Sequence, residues 1–318
     1  MFDIVGIDMP CLDLNVSVAV FPKPNEGMRV DQYTWQGGGK VATGLVAAAR
    51  LDVKCAIIGT VGGDFHGRFC VKDLERHGVD TTAFRTDPAA MTPLSVIISN
   101  RESGGRSILS HWGDVSMPPL DEACRRMITQ AKYLYLAYMG GINTEAAQLA
   151  RSAGVKVLMD ADDTTPAMMD LLPLIDVFIA SEYFYKRRYG GGDYQAQLQE
   201  LADMGPEIVV FTLGEKGCVG LGPEGYFEAP AFSVDVVDTV GAGDVYHGAF
   251  AAALVQGMAA KEAARYASAV AAIKCTRIGG RAGIPDSATV EQFLQNGAID
   301  YTEIDRRVAF YQRGLEHV

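Results

Sequence analysis

The chain has 318 residues, with 28 Lys+Arg against 39 Asp+Glu and a formal charge of −11. Its 48% hydrophobic and 21% charged residues exclude a disordered or fibrous chain, and no run reaches the roughly 18 apolar residues of a membrane span. The acidic balance speaks against a nucleic-acid surface, which needs a positive field to collect phosphates.

In chain order, residues 2–7 read as a short buried strand, 41–51 as a small-residue helix, 56–60 as a strand and 68–77 as a helix stopped by Gly78. Residues 133–137 (strand), 144–153 (helix, stopped by Gly154), 155–160 and 177–180 (strands), 194–204 (helix) and 208–213 (strand) continue the alternation. Such alternation predicts an α/β fold with a mostly parallel sheet covered on both faces, and ligands at the carboxyl ends of its strands. Residues 16–20, 28–35, 94–99 and 107–112 alternate with period two instead, the last pair joined as a hairpin through 100–106. They predict a small antiparallel sheet inserted into the body, as a lid, a dimer contact or both. The six cysteines contain no Cys-x-x-Cys pair and the first residues lack a secretory pattern, so the reducing cytoplasm is expected. The five histidines lack metal-ligand spacing, which argues against a protein-held zinc.

Two glycine clusters carry the chemistry. In Val236-Val-Asp-Thr-Val-Gly-Ala-Gly-Asp244 a strand is expected to run into Asp238, glycines turn the chain, and a small-residue helix begins near Ala242. The first amides of a helix lack intrahelical partners and carry partial positive charge, so Gly241, Ala242 and Gly243 form a candidate anion hole. Asp244 would repel a phosphate there unless it faces an attacking hydroxyl and accepts its proton. The alternative is a plain helix-start residue. A Rossmann fingerprint fails because its third glycine is missing: His247 lies at or near the place where Gly or Ala is required, and Gly248 comes too late. A P-loop fails because Val41 follows Gly37-Gly-Gly-Lys40. This second cluster also opens a helix, where Gly38, Gly39 and Thr43 can meet a polyol. A third, residues 59–67, marks a strand end and loop.

Together these segments resemble the ribokinase-like (PfkB) carbohydrate kinase family over essentially the whole chain. Residues 234–244 and 274–285 look most like ketohexokinase-type and sulfofructose-kinase-type members. The resemblance implies a three-layer α/β/α body of residues 1–13, 37–91 and 113–318, and a β-sheet lid of residues 14–36 and 92–112 that serves as a homodimer contact. It implies ATP, Mg2+ and in some members K+, with phosphorylation of a sugar hydroxyl. Carried over by position, Asp244 matches the catalytic base beside Gly241, Ala242 and Gly243, while Asp13, Gly38, Gly39 and Thr43 match substrate positions. Thr212, Gly214 and Gly217 match a nucleotide loop, and Ala271, Cys275 and Gly280 the adenine side. Backbone at Asp238, Val240 and Ala282 corresponds to a monovalent-cation site.

The chain also departs from the family pattern. Thr43 stands where many members have Asn. The Asn-x-x-Glu segment tied to magnesium appears as Ser181-Glu-Tyr-Phe184, leaving Glu182 as its only carboxylate. Tyr138-Met-Gly-Gly141 replaces the Arg expected for a sulfonate, which points away from a sulfonated substrate. The basic run 186–188 reads as complementing a helix C-terminus. Arg277 and Arg281 read either as nucleotide contacts or as a solvated loop. The leading expectation is an ATP-dependent kinase for a small sugar, whether ketose, aldose or sugar acid. The rivals are a nucleoside kinase stacking a base on Tyr33, Trp35 or Trp112, and a catalytically silent sugar or nucleotide sensor.

Overall fold

A computed structural model describes residues 1–102, 104–162 and 164–314. The strands are β1 (Ile4–Asp8), β2 (Leu12–Val18), β3 (Gln32–Gly37), β4 (Cys55–Gly62), β5 (Asp80–Asp87), β6 (Leu94–Asn100), β7 (Arg106–His111), β8 (Tyr133–Leu136), β9 (Lys156–Ala161), β10 (Val177–Ser181), β11 (Ile208–Thr212), β12 (Cys218–Gly222) and β13 (Gly225–Ala229). The helices that matter for the site are α1 (Lys40–Arg50), α2 (Phe65–Arg76), α3 (Gly141–Ser152), α4 (Glu182–Tyr189), α5 (Tyr194–Asp203), α6 (Ala242–Val255), α7 (Ala260–Cys275) and α8 (Thr302–Gln312).

Strands such as β1 and β4 are buried along their whole length, as a sheet covered on both faces requires. The large sheet runs β13-β12-β11-β10-β9-β8-β1-β4-β5, parallel from β11 to β5 and antiparallel through β12 and β13. Successive side chains leave opposite faces of each strand. Ile4, Ile57, Tyr135 and Leu158 therefore pack under α1, α6 and α7, while Val5, Ile58, Leu134 and Val157 pack under α3 and α5. The result is the expected three-layer α/β/α body.

The second sheet runs β3-β2-β6-β7, and it is mixed rather than antiparallel: β2 pairs with β6 in parallel. The chain leaves it after β3, runs through α1, β4, α2 and β5 in the body, and re-enters alongside β2. Its strands also start closer to the body than period-two alternation suggested. β2 begins at Leu12 and ends at Val18, before Pro22 and Pro24, which lack the amide a ladder needs. The expected 100–106 turn includes Ser103, which lies outside the described residues.

The strand expected to lead into Asp238 is absent. Val236 and Val237 are exposed, and the amides of Val237 and Asp238 instead donate to the carbonyl of Cys275 at 2.8 and 3.1 Å.

Glycine sets how closely the two glycine-rich helices approach. A Cβ on Gly248 of α6 would stand 1.9 Å from the carbonyl oxygen of Gly44 in α1. Only bare backbone fits at that crossing, so the two helices pack side by side.

Candidate active site

Both glycine clusters end where their helices begin. Gly39 (φ 97°) precedes α1 and Gly241 (φ 71°) precedes α6, each in a backbone region that disfavours a side chain. The Asp8 carboxylate, at the carboxyl end of β1, accepts from the Ala42 amide at 2.9 Å and so ties α1 to the sheet. The Ala242 amide donates to Thr239 O at 3.2 Å. The amides of Gly243 and Asp244 follow in a first turn that has no intrahelical acceptor for them, and a Cβ on Gly243 would meet nothing.

A cavity of about 710 Å³ lies in front of these helix starts, between the carboxyl ends of β9, β10 and β11 and the second sheet. That volume is typical of a small-molecule site. Asp13, Gly38, Gly39, Thr43, Gly241, Gly243, Asp244, Thr212 and Gly280 all line it, so the structure brings most of the expected residues to one place. Ile97, Ile108 and Trp112 from the second sheet form its apolar wall.

Charge is concentrated around Asp244. Loss of solvent, and then the neighbouring Asp160 carboxylate, raise its pKa, and Lys40 only partly offsets them. Lys40 reaches Asp160 at 3.4 Å and also pairs with Asp162. Burial alone would lower the lysine's pKa, but the two carboxylates raise it, so the ammonium stays charged. His247 donates from Nδ1 to Gly243 O at 2.6 Å and lies 3.5 Å from Asp160.

Asp13 is buried and accepts from the Cys11 thiol at 3.1 Å, with its pKa pushed up to about 6 by burial. Thr43 is buried beside it, its hydroxyl accepting from Arg281 Nε at 3.2 Å.

Other candidates fall elsewhere. Gly214 and Gly217 form the turn between β11 and β12, and Ala271 and Cys275 belong to α7; none of the four is on the cavity wall. Glu182 turns away to pair with Lys186 at 3.0 Å, whereas Asp162 and Ser181 face the cavity. Lys186, Arg187 and Arg188 occupy the last turn of α4 before Gly190, as their sequence position suggested. Arg277 bonds Asp305 at 2.8 Å and stacks over Tyr301. Arg281 is neither a nucleotide contact nor solvated: it is fully buried against Asp73.

The carbonyls expected to bind a monovalent cation are also engaged. Lys274 Nζ donates to Asp238 O at 3.0 Å and to Val240 O, and Arg307 Nε donates to Ala282 O at 3.1 Å.

Sequence reasoning missed Lys40, Asp160, Asp162 and His247. In the sequence, Lys40 reads only as the lysine of a failed P-loop and His247 only as a break in a fingerprint. The rule placing ligands at strand carboxyl ends would have found Asp160 and Asp162.

Residues 1–287 match the family described as pfkB family carbohydrate kinase. The ribokinase of Haemophilus influenzae is 31% identical over 291 residues, covering 88% of this chain and 94% of that protein. The 5-dehydro-2-deoxygluconokinase of Bacillus subtilis is 29% identical over 320 residues, covering 92% and 96%. Among solved structures, an Arabidopsis thaliana ribokinase complexed with ribose and ATP superposes with a TM-score of 0.81 at 25% identity, covering 92% of this chain and 99% of that one.

Proposed function

The chain belongs to the pfkB family of carbohydrate kinases, and we propose that Asp244 takes the proton from a sugar hydroxyl as that oxygen attacks the γ-phosphorus of ATP. The enzyme is an ATP-dependent sugar or sugar-acid kinase, a phosphotransferase with an alcohol acceptor. One observation carries the assignment of roles. A half-buried carboxylate and the first-turn amides of α6 open into the same cavity as Asp13, beneath the second sheet.

The new oxygen–phosphorus bond forms as the bond from the γ-phosphorus to the bridging oxygen breaks; ADP leaves and the acceptor's proton passes to Asp244. The Gly243 and Asp244 amides absorb charge on the transferring group, which is where such donors contribute most. A raised pKa makes ionised Asp244 a stronger base than an ordinary aspartate. Positioning supplies most of the remaining rate. Asp13 accepts a hydroxyl of the sugar and fixes its orientation. His247 holds the Gly243 carbonyl, and with it the first turn of α6. Mg2+ prefers oxygen ligands and keeps several waters, which suits Asp162 and Ser181 on the cavity wall better than Glu182. When bound, it neutralises charge on the ATP phosphates.

The second sheet acts as the lid that excludes water from the phosphoryl group. Ser99 on β6 donates to Asp238 at 3.0 Å, linking lid to anion hole. Leu109 is exposed on the face of β7 opposite the cavity-lining Ile108, which supports homodimerisation through the lid. Light scattering that finds a monomer at micromolar concentration retires this part. The six cysteines are all unpaired, in keeping with a reducing cytoplasm.

The function is tested by ADP release on a panel of aldoses, ketoses, sugar acids and nucleosides. Turnover with a sugar or sugar acid is expected. A nucleoside outpacing every sugar, or ATP binding with no turnover on any of them, contradicts the reading.

A further inference from the structure

Lys274 lies in the last turn of α7, and its side chain is entirely shut off from solvent. A lysine at a helix C-terminus commonly complements its own helix from the surface. This one reaches 36 and 34 positions back along the chain, donating to the carbonyls of Asp238 and Val240. A buried ammonium is costly unless oxygens replace its lost water, and these carbonyls do so. They belong to the segment that runs into Gly241 and the first turn of α6.

The third carbonyl of the expected cation site, Ala282 O, accepts from Arg307. The side chain of Asp238 is also committed, accepting from Ser99 Oγ, the Val240 amide and the Gly279 amide at 2.8–3.0 Å. The donor set therefore does not fit a bound K+, because positive side chains of the chain itself already hold it.

We propose that Lys274 is a tethered substitute for a monovalent cation, so that this protein needs no K+ to hold the 238–241 segment in place. The inference rests on the kinase reading only for the consequence, that the segment held is the anion hole. Lys274 is a positioning residue: its ammonium gathers the two carbonyls and so sets the direction of the amides that follow.

The test compares KCl with tetramethylammonium chloride at a constant ionic strength of about 0.1 M, where general screening is the same. Tm without ligands and kcat with the best sugar are measured for the wild type, Lys274→Ala and Lys274→Ser. Wild type is expected to be indifferent to K+ in both readouts. The variants should lose about 10- to 100-fold in kcat, the scale of a misplaced donor set. K+ should raise their Tm and restore part of kcat, a rescue that lost packing alone does not give. A saturable K+ activation or K+-specific Tm rise in the wild type overturns the proposal, as do folded variants that answer both salts alike. If neither variant folds, the wild-type comparison alone decides. If no sugar turns over in any salt, the kinase reading fails while the Tm comparison still decides the role of Lys274.

Discussion

Arg281 donates to the carboxylate of Asp73 at 2.7 Å, and neither side chain has any contact with solvent. The same guanidinium donates to Gly38 O at 2.8 Å and to the Thr43 hydroxyl, so one buried charge joins α2 to the substrate loop. Removing one partner strands the other's charge in the interior. Arg281→Met is expected to cost about 3–5 kcal/mol in urea unfolding, and adding Asp73→Leu should return part of it. A loss below about 1 kcal/mol for the single variant contradicts this strut.

Acid should weaken the fold through His77. Burial lowers its pKa to about 3, and its Nε2 lies 2.7 Å from the Tyr311 hydroxyl. The unfolded chain takes up a proton near pH 6.5 that the folded chain refuses, so this contribution is present above that pH and lost as pH falls below it. Asp73, whose pKa is lowered, adds a loss of the same sign at lower pH. Asp13, raised to about 6, acts in the opposite sense, since the folded state binds its proton more tightly than the unfolded state does. The quantity to compare is therefore the difference between wild type and His77→Gln. The wild-type urea midpoint should fall faster between about pH 6.5 and 5 than the variant's, and parallel curves refute the assignment.

The pH dependence of catalysis should report Asp13. An ionised carboxylate accepts a hydroxyl more strongly than a neutral carboxyl does, so kcat/KM is expected to rise through about pH 6. Asp13→Asn should remove that limb and lower kcat/KM about 10- to 100-fold, the worth of one hydrogen bond to a charged group. The limb set by the raised pKa of Asp244 should remain in the variant, at higher pH.

Helix spacing at Gly44 and Gly248 makes a mechanical prediction. Gly248→Ala drives a methyl group into the Gly44 carbonyl, so α1 and α6 must separate. Stability should fall by about 1–3 kcal/mol, with a drop in kcat because both helix starts shift. Normal activity in a destabilised variant would show that the two termini move independently.

Much of this was legible from residue order. Short apolar strands such as 56–60 alternating with helices pointed to the parallel body, and the residues of the 238–244 segment pointed to the helix start with its carboxylate. The parallel β2–β6 pairing was not legible, because alternation reports which faces are buried and says nothing about strand direction. Lys274 and Arg281 escaped for a related reason. Their partners lie far away in sequence, so a burial that reverses the usual reading of a basic residue becomes visible only once the chain is folded. The Asp160–Lys40–Asp162 group likewise draws on β9 and α1, which no local motif joins. The likeness to ketohexokinase-type members through residues 234–244 and 274–285 rests on sequence alone.

The central claim is the position of one carboxylate, and Asp244→Asn tests it with almost no change of shape. With the best sugar from the panel, kcat should fall by about 100- to 10,000-fold, the contribution of a positioned general base, while calorimetry shows ATP binding retained. Turnover within a few-fold of the wild type would contradict the account.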